Sequence, residues 1–184
     1  TDVAADGDIR ANFQIDEPMY PQQTYLDYIN IGDSWNVSMG QKSDGEKVKI
    51  AVIDSGIDTD HPEFMEADGN SVISLLSYDA TDDIIVEADD LSAIEDEYGH
   101  GTAVAGVIAS QINGSGIMGV APDVELLVIK CDVDETGEFR SSADIVFGIY
   151  YAIEQNVDVI NMSFSSTELS TDLMNAVQLA VDSD

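Results

Sequence analysis

Val48-Lys49-Ile50-Ala51-Val52-Ile53 is the run that most limits what this chain can become. It is apolar and β-branched almost throughout, and it stops at once on Asp54-Ser55-Gly56. A half-exposed strand alternates apolar and polar residues. A near-continuous apolar run of this length reads instead as a strand buried on both faces, the kind found in parallel sheets covered by helices. A second run, Glu97-Tyr98-Gly99-His100-Gly101-Thr102-Ala103-Val104-Ala105-Gly106, sets His100 between two glycines at the head of a small-residue helix that reads on to Ser110. In open α/β sheets, chemistry gathers where strands end and helices begin, so Asp54 and His100 are expected to meet there. A buried carboxylate that accepts from one ring nitrogen fixes the tautomer and leaves the other nitrogen as a general base. Such a pair needs a nucleophile, and a serine hydroxyl is the usual one.

Asp54-Ser55-Gly56-Ile57-Asp58 with His61-Pro62 resembles the aspartate motif of subtilisin-like serine proteases. His100-Gly101-Thr102-Ala103-Val104-Ala105-Gly106 resembles their histidine motif, with Ala103 where many relatives carry a second histidine. Gly119-Val120-Ala121-Pro122 and Val159-Ile160-Asn161-Met162-Ser163 match two further segments in the family's order, and the similarity runs from near Tyr20 to the end. The resemblance implies an α/β fold: a doubly wound, mostly parallel sheet with helices on both faces, incomplete in this chain. It also implies a serine endopeptidase in which Asp54 orients His100 and His100 takes the proton of a serine. The family's oxyanion asparagine and its Gly-Thr-Ser nucleophile motif are expected beyond Asp184. The segment alone is therefore expected to be inactive and to partner a remaining C-terminal catalytic segment, on the same or a second chain. The alternative is a pseudoprotease, a binding or regulatory protein with the same fold. A bare doubly wound ligand-binding domain is disfavoured, because it predicts a Gly-rich phosphate loop after a strand and no G-x-G-x-x-G follows one.

The resemblance also implies a structural calcium ion. Its side-chain ligands would be Glu63, Asn113 and Gln22 or Gln23, joined by the loop at Gln111, Ser115 and Ile117; an all-oxygen set suits calcium. Glu63 stands where aspartate is more usual, and a plain Gly/Asn turn is the alternative. In the Asp132–Arg140 stretch, Gly137, Glu138 and Phe139 are expected on an edge strand that pairs with an extended substrate by β-augmentation, the alternative being an acidic surface loop. Ser163, Phe164 and Ser165 are expected to wall the specificity pocket, Ser165 replacing a glycine.

With 37 acidic residues against 6 basic, the net charge is −31. That disfavours nucleic acid, which needs clustered Lys and Arg. It reads as a self-repelling, well-solvated surface, or as a cleft that draws basic peptides; a peptide or protein substrate, basic near the scissile bond, is expected. The acid-rich Asp79–Glu97 stretch lies between the two motifs and is expected to pass near the site. No apolar run is long enough to span a membrane. Cys131, the one cysteine, rules out an intrachain disulfide and reads as a small buried hydrophobe. Residues 1–17 read as a mobile arm, or as a linker left by removal of a propeptide, which is a further expected partner; residues 18–184 read as the N-terminal portion of the catalytic domain. Secretion or surface display is expected from the family and the single cysteine, an internal relative being the alternative. Further elements are expected as strands at Val72–Tyr78, Val124–Lys130 and Val157–Met162, and as helices at Ser142–Gln155, with Ala143, Val146, Phe147, Tyr150 and Ile153 inward, and at Leu169–Val181. Trp35 and His61 read as structural.

Overall fold

The computed structural model describes residues 15–87, 90–165 and 170–183. Most of the expected arm and the predicted helix start at Leu169 lie outside them. The elements are α1 (Thr24–Tyr28), α2 (Ile31–Trp35), β1 (Lys49–Asp54), β2 (Tyr78–Asp79), β3 (Ile84–Ile85), α3 (His100–Ala109), β4 (Glu125–Lys130), α4 (Ser142–Glu154), β5 (Val159–Asn161) and α5 (Thr171–Asp182). They build a sheet of order β3-β2-β4-β1-β5. β1 runs parallel to β4, from Lys49 opposite Glu125 to Asp54 opposite Lys130, and parallel to β5 on its other side. β2 is also parallel to β4; only the short β3 is antiparallel.

Alternation along β1 explains the uninterrupted apolar run. Successive side chains leave a strand on opposite faces. Ile50 and Val52 join a core with Leu126, Val128, Ala105 and Ala109, under α3. Ala51 and Ile53 join a second core with Leu127, Ile129, Ile149 and Ala176, under α4 and α5. Both faces are covered by helices, as expected of the α/β class. Each fully buried Ile or Leu here stabilises the fold by roughly 1.5–3 kcal/mol, and substitution of either face of β1 by a polar residue would open one core.

Three expectations are corrected. On α4 the buried residues are Ile145, Val146, Gly148, Ile149 and Ala152, whereas Ala143 is exposed, as are Tyr150 and Phe147, the latter 56% accessible. The helix is apolar nearly all round, so its period does not single out one stripe. The sheet takes the slim aliphatic side, which fits close to Ile53 and Ile129, and leaves the rings outside. The predicted strand Val72–Tyr78 is mostly a turn. Ile73 bridges Leu126, then Ser77 N donates to Ser74 O and Leu76 N to Ser74 Oγ. That serine turn redirects the chain before β2 begins at Tyr78. The last predicted strand shortens to Val159–Asn161.

Candidate active site

β1 and α3 deliver the expected pair. Asp54, the last residue of β1, is 2% accessible; His100, the first of α3, is 46% accessible. His100 Nδ1 lies 2.8 Å from Asp54 Oδ1 and 3.0 Å from Oδ2. Ser55 N donates to the same Oδ1 at 2.8 Å. The close approach needs Gly101: a Cβ there would stand 2.3 Å from Gly56 O and 3.1 Å from Asp54 Cβ. The bidentate contact on Nδ1 leaves Nε2 facing away, and among the described residues no hydroxyl bonds to it.

Behind the pair lies a residue that sequence reading had counted only among the acidic run. Asp96 Oδ1 accepts from Ser55 Oγ at 2.9 Å, Tyr98 N at 3.0 Å and Gly99 N at 2.8 Å. Its Oδ2 accepts from Thr102 N at 2.9 Å and Thr102 Oγ1 at 2.6 Å. Burial pushes this carboxyl up, but the hydrogen bonds from Thr102, Gly99 and Ser55 outweigh it and hold it below its ordinary value. The signal available was an aspartate just ahead of a helix start, where short acceptors satisfy free N–H groups. Two more of that acidic run are structural. Glu95 Oε2 accepts from Thr59 Oγ1 at 2.7 Å, and the buried Asp79 accepts from Thr81 N at 2.9 Å.

The 111–117 loop is organised by two buried carboxylates, Glu17 at 3% and Glu63 at 7% accessible. Glu17 Oε1 accepts from Gly114 N at 2.8 Å and Glu63 Oε1 from Ile117 N at 3.2 Å. Oε2 of each has no partner among the described residues. Burial, the dominant influence, pushes the Glu63 carboxyl up. Asn113 Nδ2 donates to Pro62 O and Met65 O while its Oδ1 accepts from Ser115 N, so the amide braces the loop. The buried Gln111 amide donates to Ala109 O and Pro122 O. Gln22 is exposed on a 3-10 turn, Tyr20–Gln22, and Glu17, which sequence reading placed in the arm, lies against the loop. Gln23 is buried but spent on Met118, accepting from its N–H and donating to its carbonyl, both at 2.8 Å.

Against known proteins, the chain matches the Subtilase family, Peptidase S8, over residues 45–184. It is 40% identical over 150 residues to the intracellular serine protease of Paenibacillus polymyxa, covering 81% of this chain and 41% of that protein. It is 41% identical over 137 residues to the major intracellular serine protease of Bacillus subtilis strain 168, covering 74% and 40%. It is 40% identical over 139 residues to subtilisin E of the same strain, covering 76% and 32%. The chain belongs to the subtilase family. It spans about two fifths of the first two relatives' length. The expectation of secretion or surface display is overturned, since those two relatives are named intracellular proteases. Among the described residues no helix is long and apolar enough to cross a membrane.

In this subtilase the expected substrate segments are brought together differently from the sequence reading. Phe139 and Phe164 pack ring against ring, centroids 4.6 Å apart, which joins the 132–140 stretch to the segment after β5; Ser163 and Ser165 on either side of Phe164 are exposed. The predicted edge strand is a tight hairpin. Gly137 N donates to Asp134 O, Asp134 N to Glu138 O, and Glu138 N to Asp134 Oδ1. The Asp134 side chain winds the turn on itself, so the backbone groups of Gly137 and Glu138 named here are engaged internally. Tyr98, two residues before His100, donates its hydroxyl to Thr136 O at 3.2 Å and covers Gly137.

Proposed function

We propose that this chain carries the aspartate–histidine half of a serine endopeptidase acting on peptide or protein chains. The observation that carries the reading is the 2.8 Å contact between buried Asp54 Oδ1 and His100 Nδ1. Asp54 accepts the Nδ1 proton, so the lone pair of His100 stands on Nε2. Nε2 takes the proton of a serine hydroxyl as that oxygen attacks the scissile carbonyl, then returns it to the leaving amine. Water repeats the sequence to release the acyl group. The serine is proposed to lie in polypeptide beyond the 184 residues, so this segment by itself hydrolyses nothing. Phe139, Ser163, Phe164 and Ser165 are proposed to border the substrate. The names of the two intracellular relatives support action inside the cell.

A calcium ion beside the 111–117 loop belongs to the same reading. No group of three His, Cys, Asp or Glu gathers among the described residues, so carboxylates alone would not hold it. Two buried carboxylates, each with an oxygen that has no partner among the described residues, fit a hard cation that completes its shell with amide and backbone oxygens. Glu17, Glu63 and Asn113, with Gln111, Ser115 and Ile117, would hold it; its chemistry there is charge neutralisation, away from the peptide-cleaving pair.

A fluorophosphonate probe on the complete gene product tests the enzyme reading. Labelling that His100→Ala abolishes is the expected result. An unlabelled wild type would leave a binding protein on a protease fold.

A further inference from the structure

We propose that Asp96 is a positioning residue: its carboxylate clamps the start of α3 to the end of β1 and thereby sets where the His100 ring stands. The proposal rests on the reading of Asp54 and His100 as the working pair.

His100 is nearly half exposed, so surrounding packing does not hold its ring, and among the described residues its one side-chain hydrogen-bond partner is Asp54. The ring's place therefore depends on the backbone to either side. Both flanking peptide N–H groups are committed. Gly99 N donates to Asp96, and Gly101 N donates at 2.9 Å to Ser55 Oγ, whose own proton goes to Asp96. Thr102 gives Asp96 two more donors and accepts from Asp58 N at 2.9 Å. Ser55 directly follows Asp54 and bonds to it through its own N–H. The carboxylate thus ties together the residues next to both members of the pair while bonding to neither.

Chemistry restricts what could stand at this position. Three backbone N–H groups and two hydroxyls converge on two oxygens, and only an acceptor-only group takes them all. Asparagine would present an NH2 either to Thr102 N or to the Ser55, Tyr98 and Gly99 donors. Negative charge at the first turn of α3 is also favoured by the helix dipole. The bond from Ser55 spans 41 residues of sequence and joins helix to strand, which a cap serving α3 alone would not require.

The test uses the complete protein carrying Asp96→Asn, Ser55→Ala, Thr102→Val or Thr102→Ser. Active sites are counted with the fluorophosphonate probe, kcat and KM are measured per counted site on a peptide, and the His100 Nδ1 proton is followed by NMR. Asp96→Asn is expected to lower kcat about tenfold to a hundredfold, the range for a small misplacement of a reacting group, with KM changed by less than about twofold. The Nδ1 proton resonance is expected to move. Thr102→Ser should keep wild-type values where Thr102→Val loses part of kcat. An unchanged kcat per counted site, with merely fewer sites, overturns the proposal, as does a change confined to KM. A wild type that never labels refutes the enzyme reading instead; the clamp is then judged on the resonance alone, and a peak unmoved by Asp96→Asn refutes it. Should Asp96→Asn fail to fold, Ser55→Ala and Thr102→Val, each removing one tie, decide by the same readouts.

Discussion

Two carboxylate clusters flank the turn that follows β1, and they handle buried negative charge in opposite ways. Around Asp96, five donors converge on one carboxylate, and the acid is held below its ordinary value despite burial. Around Glu17 and Glu63, each carboxylate accepts from one backbone N–H and, among the described residues, has one bare oxygen. There burial prevails and the Glu63 carboxyl moves up, the like charge of Glu17 adding to it. The two differ in the number of donors, and Asp96 is also less deeply buried than Glu17 and Glu63. A buried acid whose acceptors are filled is a rigid joint; one whose acceptors are half filled calls for a cation. The chain's charge sharpens the contrast. Of the six basic residues, Lys42, Lys47 and Arg140 are paired with Asp158, Glu66 and Asp132, and Lys130 donates to Glu95 O, leaving none of these at the Glu17–Glu63 cluster.

The largest effect should come from the first cluster's working end. Asp54→Asn in the complete protein keeps the shape but spoils the His100 tautomer, and should slow fluorophosphonate labelling by about four powers of ten; a loss of less than tenfold would break the assigned role. Next comes the second cluster. Calcium well above its dissociation constant should raise the melting temperature by about 5–10 °C, from a few kcal/mol of binding linkage in a domain of this size. Glu63→Gln should remove most of that rise while leaving kcat per active site unchanged, and a wild-type melt indifferent to calcium would strike out the cation. Gly116→Ala attacks the same cluster through the backbone. Gly116 has φ +62°, and a Cβ would stand 1.7 Å from Glu63 Oε1. The cost should be about 1–3 kcal/mol by urea unfolding, and a neutral substitution would show the loop to be looser than described.

The smallest effect is on pH. Asp96 titrates lower in the folded protein than its ordinary value of 3.8. Its contribution to stability is therefore complete above that ordinary value and fades as pH falls through the lower folded one. As pH falls below Asp96's ordinary value, Asp96→Asn should show a shallower loss of stability than wild type, followed by circular dichroism. Parallel acid limbs would mean that the carboxylate is not the group protonated there.

Much of the site was readable along the chain, and what was missed shares one character. Asp54 and His100 follow from a strand that stops on an acid and a helix that opens on an imidazole. Cys131 is fully buried as its apolar neighbours suggested, and His61 caps its own turn by accepting from Glu63 N. Trp35, by contrast, anchors through Nε1 to Val120 O, 85 residues away. Glu17 escaped because nothing near it in sequence marks it as different from the polar stretch before it; its partner Gly114 lies 97 residues on. The 132–140 hairpin escaped because Asp134 could read equally as a solvated charge or as the acceptor that closes a turn.

The sequence alone determined the two-faced strand, the class of sheet around it and the two residues expected to meet at its end, because these depend on side-chain alternation and on neighbours within a turn or a strand. The tertiary structure alone decided which side of α4 packs inward, which acid reaches the 111–117 loop and which carboxylate binds helix to strand. Ser55 reaches Asp96 across 41 positions and Gly114 reaches Glu17 across 97, while α4 sets Gly148 against Ile53 and Ile129; no local pattern records such partners.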